Sequence, residues 1–189
     1  MKTECTAGQL EFHGLGRRAL VGGFNGGKIS SESGGLLLRE VEQRTHILKR
    51  LAGCFVDYRN PDQIEHTVGT LIKQRVMGLA LGYEDLNDHD ALRQDPLLAL
   101  LSEVADPTGQ ARRRDQDKGC ALAGKSTLNR LELTPLAADA ANRYKKIVAQ
   151  PAAMDELLVD LFLEAHDTAP EQIIVDVDAT DDPLHGHQE

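Results

Sequence analysis

Apolar positions fall into a helical period soon after Gly35. Leu37, Val41, Leu48 and Leu51 recur on one face, with Arg39, Glu40, Glu42 and Arg44 elsewhere, and predict a helix. Asn60 can cap a second helix whose first residue is Pro61, a position where the missing N–H costs nothing. Ile64, Val68, Leu71, Ile72 and Leu79 carry its apolar stripe to a stop at Gly82. Asp95-Pro96 repeats this start before the run Leu97 to Leu101. Ser126 can cap a short helix, Thr134-Pro135 begins another reaching about Gln150, and Pro151 opens one more, with Met154, Leu157, Leu158, Leu161 and Phe162 on its buried side. The period then changes. The β-branched run Ile173-Ile174-Val175-Asp176-Val177 is the one segment that predicts a buried strand. Ahead of all this, the chain through Gly35 is rich in Gly and Ser and is expected to run extended over the surface.

Composition supports this reading. A chain of 189 residues allows one domain or slightly more, and 41% hydrophobic residues suffice for a core. Aromatics make up only 4%, without Trp, so Leu, Val, Ile and Ala must build that core, which favours helices. No apolar run approaches the ~20 residues needed to span a bilayer, and Met1 to Gly16 lacks the basic and apolar regions of a signal peptide. Three cysteines, none in a Cys-x-x-Cys, argue against a disulfide framework or a thiolate zinc site and fit a reducing cytosol.

A net charge of −9, taken as a sum, disfavours nucleic acid, but the charge is unevenly spread. Residues 106–150 hold 9 basic and 5 acidic side chains, whereas residues 151–189 hold 11 acidic ones and no Lys or Arg. Arg112, Arg113, Arg114, Lys118, Lys125 and Arg130 surround the short helix that starts Ser126-Thr127-Leu128-Asn129-Arg130. Its N-terminus favours anions, Asn129 and Arg130 can reach base edges, and the arginine loop can hold phosphates; a solvated loop is the competing reading.

Two weaker motifs are set aside. Gly22 to Ser30 imitates a phosphate loop but places Ile29 where a hydroxyl must hold magnesium, so a flexible linker is expected. Asp85 to Asp90 begins like a calcium loop, then lacks Gly at the sixth place and has Pro96 where the bidentate Glu should be. A polar turn between helices, with Asp88 or Asp90 as a cap, is the expectation.

The end of the chain carries the strongest chemistry. The run Ile173 to Val177 delivers Asp176 and Asp178 to one side, and carboxylates clustered there are costly without a divalent cation. Two chemistries use this layout. In a haloacid-dehalogenase-like phosphohydrolase (Asp-x-Asp-x-Thr), Asp176 would be the nucleophile and Asp178 the acid/base. In a DDE transposase, Asp178 would be the first of three carboxylates sharing two metals that act on a DNA phosphodiester.

The stretch from Asp178-Ala179-Thr180-Asp181-Asp182-Pro183 to His185-Gly186-His187-Gln188 closely resembles insertion-sequence DDE transposases of the group 1 type. Gly26 to Ser31, Gly35 to Glu40, Gln74-Arg75-Val76, Gly82 to Asp90, Leu92-Arg93, Asp95-Pro96 and Ser126 to Glu132 resemble that family as well. The resemblance implies the N-terminal portion of an enzyme that cleaves and transfers insertion-sequence DNA. It implies Asp178 as a catalytic metal ligand, with Thr180 and His185 supporting it; the carboxylate clustering above adds Asp176 as a further metal ligand. It implies Mg2+ or Mn2+ in a complete DDE site, and terminal DNA as partner through Arg112, Arg113, Arg114, Lys125, Ser126, Asn129 and Arg130. The family continues through an RNase H-like sheet that supplies a second Asp and a Glu, whereas this sequence stops at Glu189; Asp181, Asp182 and Glu189 lie too close to stand in for them.

The expected fold is therefore mainly α: a flexible stretch over 1–19, a helical DNA-binding domain over 20–166, and the first strand of a truncated RNase H-like α/β catalytic domain over 167–189. The 189 residues alone are expected to be catalytically silent. A non-enzymatic DNA-binding remnant that inhibits an intact transposase is the second reading, and the phosphohydrolase the third. A second copy of the chain, or an intact transposase, is the expected protein partner, and residues 167–189 are expected to be poorly ordered or to pair with another copy. Cytoplasmic residence, on the bacterial nucleoid when DNA-bound, and no membrane contact complete the expectation.

Overall fold

The structure, a computed structural model, describes residues 10–23 and 32–175. Strands β1 (Leu10–Leu15) and β2 (Arg18–Gly22) form an antiparallel hairpin with Phe12 opposite Leu20, where the glycine content predicts an extended surface run. The tight turn is set by Gly16, at φ +60°, a conformation that side chains with a Cβ resist. The hairpin lies on α1 (Gly35–Thr45): the Arg39 guanidinium donates to the His13 and Gly14 carbonyls at 2.7 and 3.3 Å, and Glu40 accepts from the His13 N–H at 2.8 Å.

Helix α1 turns a different face inward from the one its leucines suggest. Leu37 and Val41 are exposed, while Gly35, Leu36, Arg39 and Glu42 are buried. The cause is a break at His46, whose left-handed φ of 55° starts α2 (Ile47–Ala52) in a new phase, so Val41 and Leu48 never share one face. The buried Glu42 carboxylate is employed at that break, accepting from the Leu48 and Lys49 N–H groups at 2.7 and 3.1 Å. These are free donors of the first turn of α2.

Asn60 does cap at Pro61, but only a 3-10 turn, Pro61–Gln63. The long helix α3 (Val68–Ala80) starts later, with the Thr67 hydroxyl accepting from the Thr70 N–H, and buries Leu71, Ile72, Gln74, Met77 and Gly78. After Gly82, the Asp85 side chain caps a second 3-10 turn, and α4 (His89–Leu92) follows. Helix α5 (Pro96–Leu101) begins where Asp95-Pro96 predicts, with the Asp95 carboxylate accepting from Leu97 and Leu98.

Helix α6 (Lys125–Glu132) occupies the expected place, but its cap position is Gly124 rather than Ser126. The helix expected from Thr134 to Gln150 is absent. Asp139 and Asn142 divert that backbone into turns, and Ile147-Val148 pair instead as β4 (Ile147–Ala149) with β3 (Phe55–Asp57), Val56 opposite Val148. Tertiary pairing overrides a helical start there. Helix α7 (Pro151–Glu164) buries Leu157 but leaves Leu158 and Phe162 exposed, and it is tied to α2 by Arg50 with Glu164 at 2.6 Å. Among the described residues the run toward Val177 is not a strand: Ile173, Ile174 and Val175 are exposed and unpaired there. The core joins α1, α2, α3, α5 and α6 through Leu36, Leu48, Leu71, Ile72, Leu98, Leu101, Leu122, Leu128 and Ile147. No helix among the described residues is long and apolar enough to cross a membrane.

Candidate nucleic-acid interface

Helix α6 is held at its start by other elements. Gln74, fully buried on α3, donates through Nε2 to the Ala123 carbonyl at 2.8 Å, and its Oε1 accepts from the Ala123 N–H at 3.0 Å. The same Nε2 lies 3.1 Å from Nδ1 of buried His89. Just beyond, Asp90 accepts from the Lys125 N–H at 3.1 Å. That hydrogen bond, and then the Lys125 side chain, hold the Asp90 carboxyl below the usual range. A carboxylate from α4 thus occupies the N-terminal anion position that the sequence offers to a ligand.

The basic loop between α5 and α6 is equally fixed. Asp106 accepts from the Thr108 and Ala111 N–H groups at 3.1 and 2.7 Å. Gly109, at φ +68°, lies so close to residues 120–121 that a Cβ would come within 2.7 Å of their backbone. The Gly109 carbonyl accepts from Gly119, and the Arg93 carbonyl accepts from Leu122. The loop is tied to α4 and to the 3-10 turn at Pro61, while Arg113, Arg114, Asp115 and Gln116 on it stay exposed.

Between these elements lies a cleft of about 660 Å³, lined by Arg59, Arg93, Arg112, Arg113, Arg114 and Arg130, with Glu65, His66, Asp90, Asp117 and Ser126 among its other walls. Three arginines are neutralised in place. Arg59 chelates Asp57 at 2.8 and 2.7 Å, Arg93 meets Asp117 at 2.9 Å, and Arg112 meets Glu65 at 2.9 Å. Arg112 also donates to Nε2 of His66. Burial first, and then the neighbouring Arg112, Arg93 and Arg59, depress the His66 pKa to about 4, so the ring is a neutral acceptor at pH 7. The others are uncompensated among the described residues: Arg113 reaches only the Asp62 carbonyl, Arg114 has no partner, and Arg130 lies 5.5 Å from the Tyr144 ring. Guanidiniums without carboxylate partners are the groups available to phosphate oxygens.

Of the residues that the sequence nominates for DNA, Arg112, Arg113, Arg114, Ser126 and Arg130 line this one cleft. Lys125 turns to Asn87 and Asp90 at 3.0 and 3.4 Å, and Asn129 is half-buried on α6 outside the lining. Sequence reading misses Arg59, Arg93 and His66, which come together only through the β3–β4 pairing and the packing of α4; Arg93 lies within a motif, Leu92-Arg93, but nothing local marks its role. Asp176, Asp178, Thr180 and His185 lie outside the described residues, as does the Gly26–Ser31 motif. Among the described residues no group of three or more His, Cys, Asp or Glu could hold a metal.

The model of one protein family, described as transposase DDE domain group 1, matches residues 12–189. No curated protein and no solved structure matches the chain significantly.

Proposed function

The chain belongs to the transposase DDE domain group 1 family, and on that premise we propose that it engages insertion-sequence DNA ends for metal-dependent cleavage and transfer. The observation that carries the DNA reading is the cleft: three uncompensated guanidiniums, Arg113, Arg114 and Arg130, on a rigid frame built by residues the family resemblance singles out. Gln74, His89 and Asp90 hold α6, Arg93 fixes the loop, and Asp95 starts α5. The paired arginines and neutral His66 build the cleft wall, and the unpaired arginines stand beside them in the same lining. These then bind the DNA backbone, which positions the duplex without reading its sequence.

Residues 167–189 open the RNase H-like catalytic domain in this reading. Divalent metal is general in the family, and the hard oxygen donors Asp176 and Asp178 suit Mg2+ or Mn2+, which would polarise a phosphodiester when bound. Thr180 and His185 support those donors. The phosphohydrolase alternative accounts for the Asp-x-Asp-x-Thr segment alone and leaves the arginine cleft without a purpose. As a family member acting on DNA, the chain resides in the cytoplasm.

Incubating the 189-residue chain with terminal DNA and Mg2+ tests both halves of this reading. A gel shift at low salt without nicked or joined product is expected. Robust cleavage overturns the reading of Asp178 as one of three catalytic carboxylates that act only together, and absence of any shift overturns the DNA reading.

A further inference from the structure

We infer that the cleft continues onto Tyr144 to form a site for an unpaired DNA strand, a specificity that rests on the DNA reading above and goes beyond backbone contact. The chain has three tyrosines and no Trp. Tyr83 is engaged by Glu32, whereas Tyr144 is 55% exposed. Two guanidiniums attend its ring, Arg130 at 5.5 Å and Arg143 at 4.8 Å from the centroid. Neither has a carboxylate partner among the described residues, and each lies within cation–π range of the ring. Arg130 also lines the cleft, so one side chain connects the phosphate-binding wall to an exposed aromatic surface.

This juxtaposition is what an extended single strand requires. Its phosphates need unpaired cations, supplied by Arg113, Arg114 and Arg130. Its bases, released from pairing, need flat surfaces, supplied by the exposed part of the phenol ring and by the guanidinium planes that lie over it. A duplex cannot use the second part, because its bases are already stacked on one another. A nucleotide with its phosphate in the cleft and its base against Tyr144 bridges the two parts within the reach of Arg130.

The test compares labelled oligothymidylate of about a dozen nucleotides with a duplex of equal length, by fluorescence anisotropy on the full 189-residue chain. Tyr144→Ala is expected to weaken oligothymidylate binding about ten-fold and duplex binding less than about two-fold, while Tyr144→Phe, which keeps the ring, retains both. Arg113→Gln with Arg114→Gln weakens both probes. Without Trp, tyrosine emission is directly readable, and oligothymidylate quenches a component that Tyr144→Phe removes. Equal loss on both probes, no loss on either, or a Phe variant as weak as the Ala variant overturns the unpaired-strand site and leaves DNA binding standing. Failure of the unmodified chain to bind either probe overturns the DNA reading together with this inference.

Discussion

His66 and Arg112 show how the cleft divides between groups that build it and groups that serve it. His66 stays neutral in the folded chain down to about pH 4, whereas an unfolded imidazole gains its proton near 6.5. Between those values the unfolded state binds more protons, so stability falls as pH drops from 6.5 to 4, by roughly 3 kcal/mol from this group, and is unaffected by it above 6.5. Urea unfolding across that window is expected to show a shallower pH dependence for His66→Gln; an unchanged slope places the imidazole outside the arginine cluster. Arg112→Gln is expected to lower stability by about 1–3 kcal/mol, because it strands Glu65 and His66, with little change in the salt dependence of DNA binding. Gln74→Leu removes both partners of the buried Ala123 peptide groups and is expected to cost about 2–4 kcal/mol in the same urea measurement. A cost under about 0.5 kcal/mol contradicts the clamp on α6.

At the scale of elements, helices with a side-chain start signal were legible where nothing tertiary competed. Asp95-Pro96 specifies α5 because the carboxylate satisfies two N–H groups that the helix itself leaves free. Helix α1 misled for the opposite reason. Its buried face carries Arg39 and Glu42, side chains that pattern reading assigns to solvent; they are used on the hairpin carbonyls and on the first turn of α2, partners invisible in local sequence. Ile147-Val148 look as helical as their surroundings until β3 is available to pair with them. Helix α7 differs again: its sequence suggests one buried face, yet Leu158 and Phe162 are 65% and 40% exposed. Leu158→Ser with Phe162→Ser is accordingly expected to shift stability by less than about 1 kcal/mol, whereas Leu157→Ala costs about 2–3 kcal/mol; thermal melts of the two variants distinguish them.

For the whole molecule, the 112–130 charge run was readable as a DNA candidate because six basic residues fall within 19 positions. Its floor was not readable. Arg59, His66 and Arg93 lie well upstream of that run and reach the cleft only through folding, and no spacing rule anticipates which arginines carboxylates will neutralise. The family motifs from Gln74 to Asp95 were recognisable as a resemblance, but their physical task, holding α6 and the basic loop, emerges only from the hydrogen bonds of Gln74, Asp90 and Arg93. The central claim is that the uncompensated arginines, and not the paired ones, bind the DNA backbone. The salt dependence of terminal-DNA binding tests it most directly, measured as the slope of log affinity against log salt concentration. Replacing Arg113, Arg114 and Arg130 together by Gln is expected to reduce that slope by about 2–3, since each phosphate left without its guanidinium accounts for roughly 0.9, while Arg112→Gln leaves it unchanged. A triple variant with the unmodified slope, or an Arg112 variant whose slope falls as far, contradicts the claim.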